Sequence, residues 1–222
     1  MSVRSNIDKL REHVPGNVKI VAVSKFHTTD EIKEAYDDGQ LLFGESRVQE
    51  LEEKYPLLPK DIEWHFVGSL QRNKVRFIAP FVSLIHSRDS ERLMREIDKR
   101  AAANNRTIKC LLQLHVADEE TKSGFTPDEC REFLAGGNWK KYPNVQLAGV
   151  MGMATFADDT EQVHKEFRLI KSLFDEFKAE YFAEDDEFKE ISMGMSGDYP
   201  IAIEEGATII RVGTLIFGER QY

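Results

Sequence analysis

The most constraining feature of this chain is a repeated alternation in which short, almost wholly apolar runs are separated by stretches with helical hydrophobic spacing. Residues 18–24, 41–44, 64–67, 81–85, 108–116, 147–151, 189–192 and 208–212 make eight such runs. Parallel strands have this character, because helices cover both faces of their sheet and leave no side for polar residues. The intervening stretches read as helices. Thr28-Thr29-Asp30-Glu31 is a capping box ahead of Ile32, Ala35 and Tyr36, which share one face, and Gly39 ends that helix. Between Thr160 and Phe182, the residues Val163, Phe167, Ile170, Phe174, Phe177 and Tyr181 recur at helical spacing, so these aromatics are expected in a core, not around a ligand. Asp198, Pro200 and Gly206 bracket a shorter helix as cap, early proline and terminal glycine.

Eight successive βα units fit a closed (β/α)8 barrel of the TIM type, near the lower end of that fold's usual length, as one domain over residues 1–222. An open doubly wound sheet is the alternative. The two differ in one consequence: closure sets the last strand beside the first, making Arg211 and Lys25 neighbours. With 41% hydrophobic and 31% charged residues the chain is globular and can fill such an interior. The acidic stretch Glu184-Asp185-Asp186-Glu187 reads as a solvated turn.

Several function classes are disfavoured. No run approaches the roughly 18 apolar residues that span a membrane, and residues 1–6 lack the apolar core of a signal peptide, so a cytoplasmic protein is expected. A formal charge of −9 repels polyanions, and the short basic cluster Arg72, Lys74 and Arg76 carries no interleaved aromatics, which argues against nucleic acid. Cys110 and Cys130 form no CxxC pair and read as thiols in a reducing compartment. His65, His86 and His115 could lie near strand ends, but without HxH or HExxH spacing they read as hydrogen-bonded structural or rim residues, and no metal is expected.

Two segments carry chemistry. Lys25 ends an apolar strand, so it falls at the carboxyl rim of a barrel, where active sites collect. Partial burial there disfavours the charged ammonium and readies the amine for an aldehyde, although a strand-end lysine taken alone is more ordinarily a structural residue that snorkels its charge to solvent. The second segment comprises Met193-Gly194-Met195-Ser196-Gly197-Asp198 after the seventh run and Arg211-Val212-Gly213-Thr214 at the end of the eighth. Glycines let backbone N–H groups approach an anion, Ser196 and Thr214 add hydroxyls, and barrels commonly bind phosphate with these two loops. Neither segment is a P-loop or a GxGxxG fingerprint, and either alone is also ordinary turn chemistry.

Seven motifs, spread over nearly the whole chain and in order, closely resemble the pyridoxal phosphate homeostasis protein family: Ala22-Val23-Ser24-Lys25, Phe43 to Glu50, Trp64 to Gly68, Leu70 to Lys74, Lys122 to Phe125, Met193 to Asp198 and Arg211 to Glu219. The resemblance implies a single barrel like the cofactor-binding domain of alanine racemase, of pyridoxal phosphate fold type III and without the second β domain. It implies a pyridoxal 5′-phosphate cofactor held as a Schiff base on Lys25, with Met195 in the cofactor loop, Ser196, Gly213 and Thr214 on the phosphate and Arg211 facing the pyridine nitrogen. Where the family has asparagine this chain has Ser46, whose shorter hydroxyl would reach the cofactor through water. A guanidinium partner leaves the ring nitrogen unprotonated and weakens the ring as an electron sink. The expected function is therefore storage, buffering or delivery of the cofactor by a cytoplasmic monomer, with cofactor-requiring apo-enzymes as recipients and no catalysis. The alternative is a racemase-like enzyme. Such an enzyme needs an acid/base on each face of the substrate carbon, which the racemases supply from an additional domain; Tyr199 is the conceivable substitute here, although packing on its neighbours is the simpler role.

Overall fold

The computed structural model describes residues 2–117, 124–156 and 159–219, apart from the side chain of Arg88; Lys122 and Ser123, part of one motif above, lie outside the described residues. Among these residues eight parallel strands follow in order: β1 (Lys19–Val23), β2 (Leu42–Glu45), β3 (Glu63–Phe66), β4 (Leu84–Arg88), β5 (Ile108–Gln113), β6 (Val145–Met151), β7 (Glu190–Ser192) and β8 (Ile209–Val212). Each pairs with the next, and β8 closes onto β1 with Val21 opposite Arg211 and Ala22 opposite Val212. The barrel is therefore closed, and the open sheet is excluded. Around it lie α1 (Val3–His13), α2 (Thr29–Asp37), α3 (Val48–Lys54), α4 (Val75–Ile78), α5 (Glu91–Ala103), α6 (Pro127–Ala135), α7 (Thr160–Tyr181), α8 (Tyr199–Glu204) and α9 (Thr214–Phe217).

Strand alternation sorts the apolar residues into two cores. Val21, Leu84, Leu111, Ala148, Met151 and Ile209 form a small cluster inside the barrel. Their neighbours Ala22, Ile85, Leu112 and Ile210 belong to the larger core between strands and helices. Helix α7 supplies that outer core with Val163, Phe167, Ile170, Leu173 and Phe177, and its half-buried Phe174 stacks on Phe188 at 5.3 Å, so these aromatics are packing residues. The capping box of α2 is present in both directions, Thr28 Oγ1 accepting from Glu31 N–H and Glu31 accepting from Thr28 N–H.

One strand begins later than its composition suggests. Phe81 and Val82 donate their N–H groups to the Ile78 carbonyl, completing the turn after α4, and the ladder starts only where Ser83 N–H reaches Trp64. A chain leaving a helix satisfies its backbone donors locally before the sheet can take them. Further along the rim, Gly68 is required by space: a Cβ there would lie 2.2 Å from the Ser46 carbonyl, so the segments after β2 and β3 touch through backbone.

Candidate functional site

Lys25 sits half-buried in the turn that leaves β1. Ser24 N–H bonds the Gly44 carbonyl and His27 N–H bonds the Ser24 carbonyl. Between them Phe26 has φ +68°, a left-handed conformation that costs a bulky residue about 1–3 kcal/mol. Its N–H donates to Glu50 Oε2 at 2.8 Å, and the Arg47 guanidinium lies 4.5 Å from the Phe26 ring centroid. Both neighbours of Lys25 are thus tied down.

The tie is a charged cluster. Lys54 Nζ donates to the Ser24 carbonyl at 2.9 Å, to Glu45 Oε1 at 2.7 Å and to Glu50 Oε2 at 3.0 Å, while Ser24 Oγ donates to Glu45 Oε1 at 2.7 Å. Glu45 is fully buried and its Oε2 has no partner among the described residues. Burial pushes the Glu45 carboxyl above the usual carboxylate range, with Lys54 and Ser24 opposing it. For Glu50, burial also acts upward, but the Phe26 N–H and Lys54 outweigh it and hold the carboxyl below that range. Nothing in the sequence marks Lys54, because a Glu50–Lys54 pair four residues apart on a helix ordinarily reads as solvated.

On the far side of the closure, Met193 is buried and Gly194, at φ +90°, accepts the Arg211 N–H at 2.9 Å. Met195 is exposed and Ser196 half-buried. Asp198 occupies the N-cap position of α8 without capping it; its Oδ1 turns back to accept the Met195 N–H at 2.5 Å, which corrects the expected cap. The backbone N–H groups of Ser196, Gly197, Thr214 and Leu215 have no partner among the described residues. Gly213 lies against β1, where a Cβ would be 3.0 Å from the Val23 carbonyl. Ser46, half-buried after β2, uses its hydroxyl in no hydrogen bond among the described residues.

Arg211 is a barrel-interior residue, 5% exposed. Nη1 donates to the Ser192 carbonyl at 2.9 Å and to Ser192 Oγ at 2.7 Å, and Nη2 donates to the Gly152 carbonyl at 3.1 Å. Burial lowers its pKa to about 10, with Asp198 opposing, so it stays a cation and a donor at neutral pH. Behind it, Ser192 Oγ lies 2.9 Å from His86 Nδ1, and His86 Nε2 lies 2.9 Å from His65 Nδ1. Burial, with positive neighbours adding, takes His65 down to about 3 and His86 well below 6.5. His115 is elsewhere, half-buried beyond β5.

Both histidines are therefore neutral in the folded chain and take up protons only when it unfolds. Since the unfolded state binds more protons below pH 6.5, their contribution is complete above that pH and is lost as pH falls. Stability is expected to drop below that point with a slope that steepens toward about 1.4 kcal/mol per pH unit for each histidine. Denaturant unfolding between pH 6.5 and 5 measures this, and a His65→Gln/His86→Gln variant should flatten the slope. A wild-type profile already flat in that window would contradict it.

The expected site residues thus share one face: Lys25 after β1, Ser46 after β2, Met195 and Ser196 after β7, and Arg211, Gly213 and Thr214 on and after β8. These are four consecutive strands of the closed barrel. At the opposite mouth a cavity of about 460 Å³ is rimmed by ion pairs, Lys19 with Glu190 and Lys109 with Glu187. Its lysines are already matched, and it holds none of the expected site residues.

The family model of the alanine racemase N-terminal domain matches residues 1–221. A pyridoxal phosphate homeostasis protein of Aquifex aeolicus is 42% identical over 205 residues, covering 92% of this chain and 88% of that one. One from Schizosaccharomyces pombe is 34% identical, covering 99% and 93%. The structure of PipY from Synechococcus elongatus, solved with PLP bound, superposes with a TM-score of 0.88 at 35% identity over 98% of this chain and 100% of that one. An alanine racemase of Clostridium difficile superposes with a TM-score of 0.81 at 14% identity, covering all of this chain but 60% of the racemase, a likeness of fold.

Proposed function

Because this chain belongs to the pyridoxal phosphate homeostasis protein family, built on the barrel of the alanine racemase N-terminal domain, we propose that it holds pyridoxal 5′-phosphate on Lys25 as a Schiff base and stores, buffers or delivers it without catalysing a reaction. The observation that carries this reading is the grouping, on one face of four adjacent strands, of an amine, a set of unpaired backbone donors and a buried guanidinium. The residues fit the group. Four N–H donors without partners among the described residues, on loops carrying Ser196 and Thr214, suit a phosphate. Arg211, a donor with no acceptor, suits an unprotonated ring nitrogen. Ser46 offers a hydroxyl that makes no hydrogen bond among the described residues, where the family has asparagine. When bound, the cofactor supplies an aldehyde and an electron-withdrawing ring.

The residues of this chain support holding more than turnover. Arg211 stays protonated and gives the ring nitrogen no proton, so the ring is a weaker electron sink than one facing a carboxylate. Tyr199, the conceivable second acid/base, packs against the outer core. No helix among the described residues is long and apolar enough to cross a membrane. We read the chain as a cytoplasmic monomer whose recipients are cofactor-requiring apo-enzymes.

Loaded protein is expected to leave the α-hydrogen of alanine unexchanged in D2O, followed by NMR beside a true racemase, and to restore activity to an apo-enzyme through reversible transfer. Exchange with inversion at enzyme rates, roughly 1 to 10³ per second, would overturn the reading in favour of a racemase-like enzyme.

A further inference from the structure

We propose that Ser192, His86 and His65 are positioning residues for Arg211: a one-way hydrogen-bond chain through the barrel that anchors the guanidinium on neutral acceptors and directs its unneutralised charge at the cofactor ring. The inference rests on the reading that Arg211 faces the ring nitrogen.

The direction of the chain follows from donor chemistry. Arginine can only donate, so Ser192 Oγ accepts from Arg211 Nη1 at 2.7 Å; its own hydrogen has one acceptor in reach among the described residues, His86 Nδ1 at 2.9 Å, and goes there. His86 then carries its proton on Nε2 and donates it to His65 Nδ1 at 2.9 Å. His65 in turn carries its proton on Nε2, which has no partner among the described residues, and its ring lines the cavity at the amino-terminal mouth. Every link is buried, so water does not compete for it. A proton added to His86 at Nδ1 would remove the acceptor that Ser192 uses and set a second cation behind Arg211.

The chain also decides what Arg211 offers. Of the five guanidinium N–H groups, three are taken by the Ser192 carbonyl, Ser192 Oγ and the Gly152 carbonyl, leaving Nε–H and one Nη2–H. All three acceptors are neutral. A carboxylate in that position would hold the arginine equally well but cancel its charge. Asp198 is close enough to raise the Arg211 pKa, yet makes no hydrogen bond to it. Neutral anchoring keeps the cation whole while fixing its plane.

The test uses the full chain in two states. Without cofactor, ¹⁵N NMR of labelled histidines should show His86 and His65 as single Nε2–H tautomers, and Ser192→Ala should leave His86 a mixture. With cofactor, Ser192→Ala should weaken affinity about tenfold and shift the visible band toward that of Arg211→Ala, while Ser192→Thr, which keeps the hydroxyl, restores both. His86→Gln serves as a second interruption should Ser192→Ala fail to fold. If Arg211→Ala moves band and affinity but interrupting the chain moves neither, the positioning role is wrong. Should Arg211→Ala itself change nothing, the placement of Arg211 on the ring fails and the proposal falls with it. Nδ1–H tautomers in the cofactor-free protein would overturn the chain independently of any cofactor.

Discussion

Borohydride reduction of the protein saturated with pyridoxal phosphate is expected to leave one phosphopyridoxyl group per chain, on Lys25, and the Lys25→Ala variant is expected to carry none in stoichiometric amount. The expectation rests on where Lys25 stands, in the turn at the carboxyl rim after β1, and on what already occupies Lys54 behind that turn. Lys54 donates all three of its N–H groups, to Ser24, Glu45 and Glu50. An ammonium whose three N–H groups are held by two carboxylates and a carbonyl offers no lone pair to an aldehyde. Lys25 comes two residues after Val23 at the carboxyl rim, beside the unpaired donors after β8. Exposed lysines react slowly and reversibly because at neutral pH they are almost wholly charged. Peptide mapping reads the outcome. A main adduct on Lys54, Lys74 or Lys122 in the unsubstituted chain would remove Lys25 from its assigned role, and retention of a full equivalent in Lys25→Ala would do the same.

Much of this architecture was legible in the residue order, for reasons that also mark where legibility ends. Strands covered on both sides must be apolar throughout, so Val18 to Val23 or Leu147 to Met151 announce themselves. The loops after β7 and β8 are recognisable because glycine, serine and threonine between a strand and a helix suit few purposes besides close approach or turning. What period-two alternation cannot supply is which inward-facing residues meet. His65, His86, Ser192 and Arg211 come from four strands, and their hydrogen bonds exist only because closure and register bring them together across the barrel. The Lys54 cluster escaped for a related reason: helix α3 carries it under the first turn, and helical spacing alone does not distinguish a buried lysine from a solvated one. Asp198 shows the limit of cap signals, since the Met195 N–H competed successfully for the same carboxylate.

The largest stability effect is expected from Lys54→Met. Methionine matches the lysine stem in volume, so little packing is lost, but Glu45 is left fully buried with only the Ser24 hydroxyl on one oxygen and nothing on the other. Removing one partner of a buried ion pair typically costs about 3–5 kcal/mol, because the remaining charge is uncompensated. For a chain of this length that corresponds to a fall in Tm on the order of 10 °C. The sign of its pH dependence is distinctive. Without Lys54, burial raises the Glu45 pKa further above its unfolded value, so the folded state binds a proton that the unfolded state releases, and the deficit should shrink as pH falls from neutral toward the carboxylate range. Glu45→Gln/Lys54→Met removes both charges and should recover most of the loss, as double substitution of coupled buried pairs does. The same variant tests the link to function. Lys54 also holds the Ser24 carbonyl and the Glu50 oxygen that fixes Phe26, so its loss releases the turn on either side of Lys25. Reduced cofactor labelling of Lys25 in folded Lys54→Met protein is the expected companion result. A cost below about 1 kcal/mol, in the range of exposed pairs, would mean that water reaches the cluster and that the turn is held by something else.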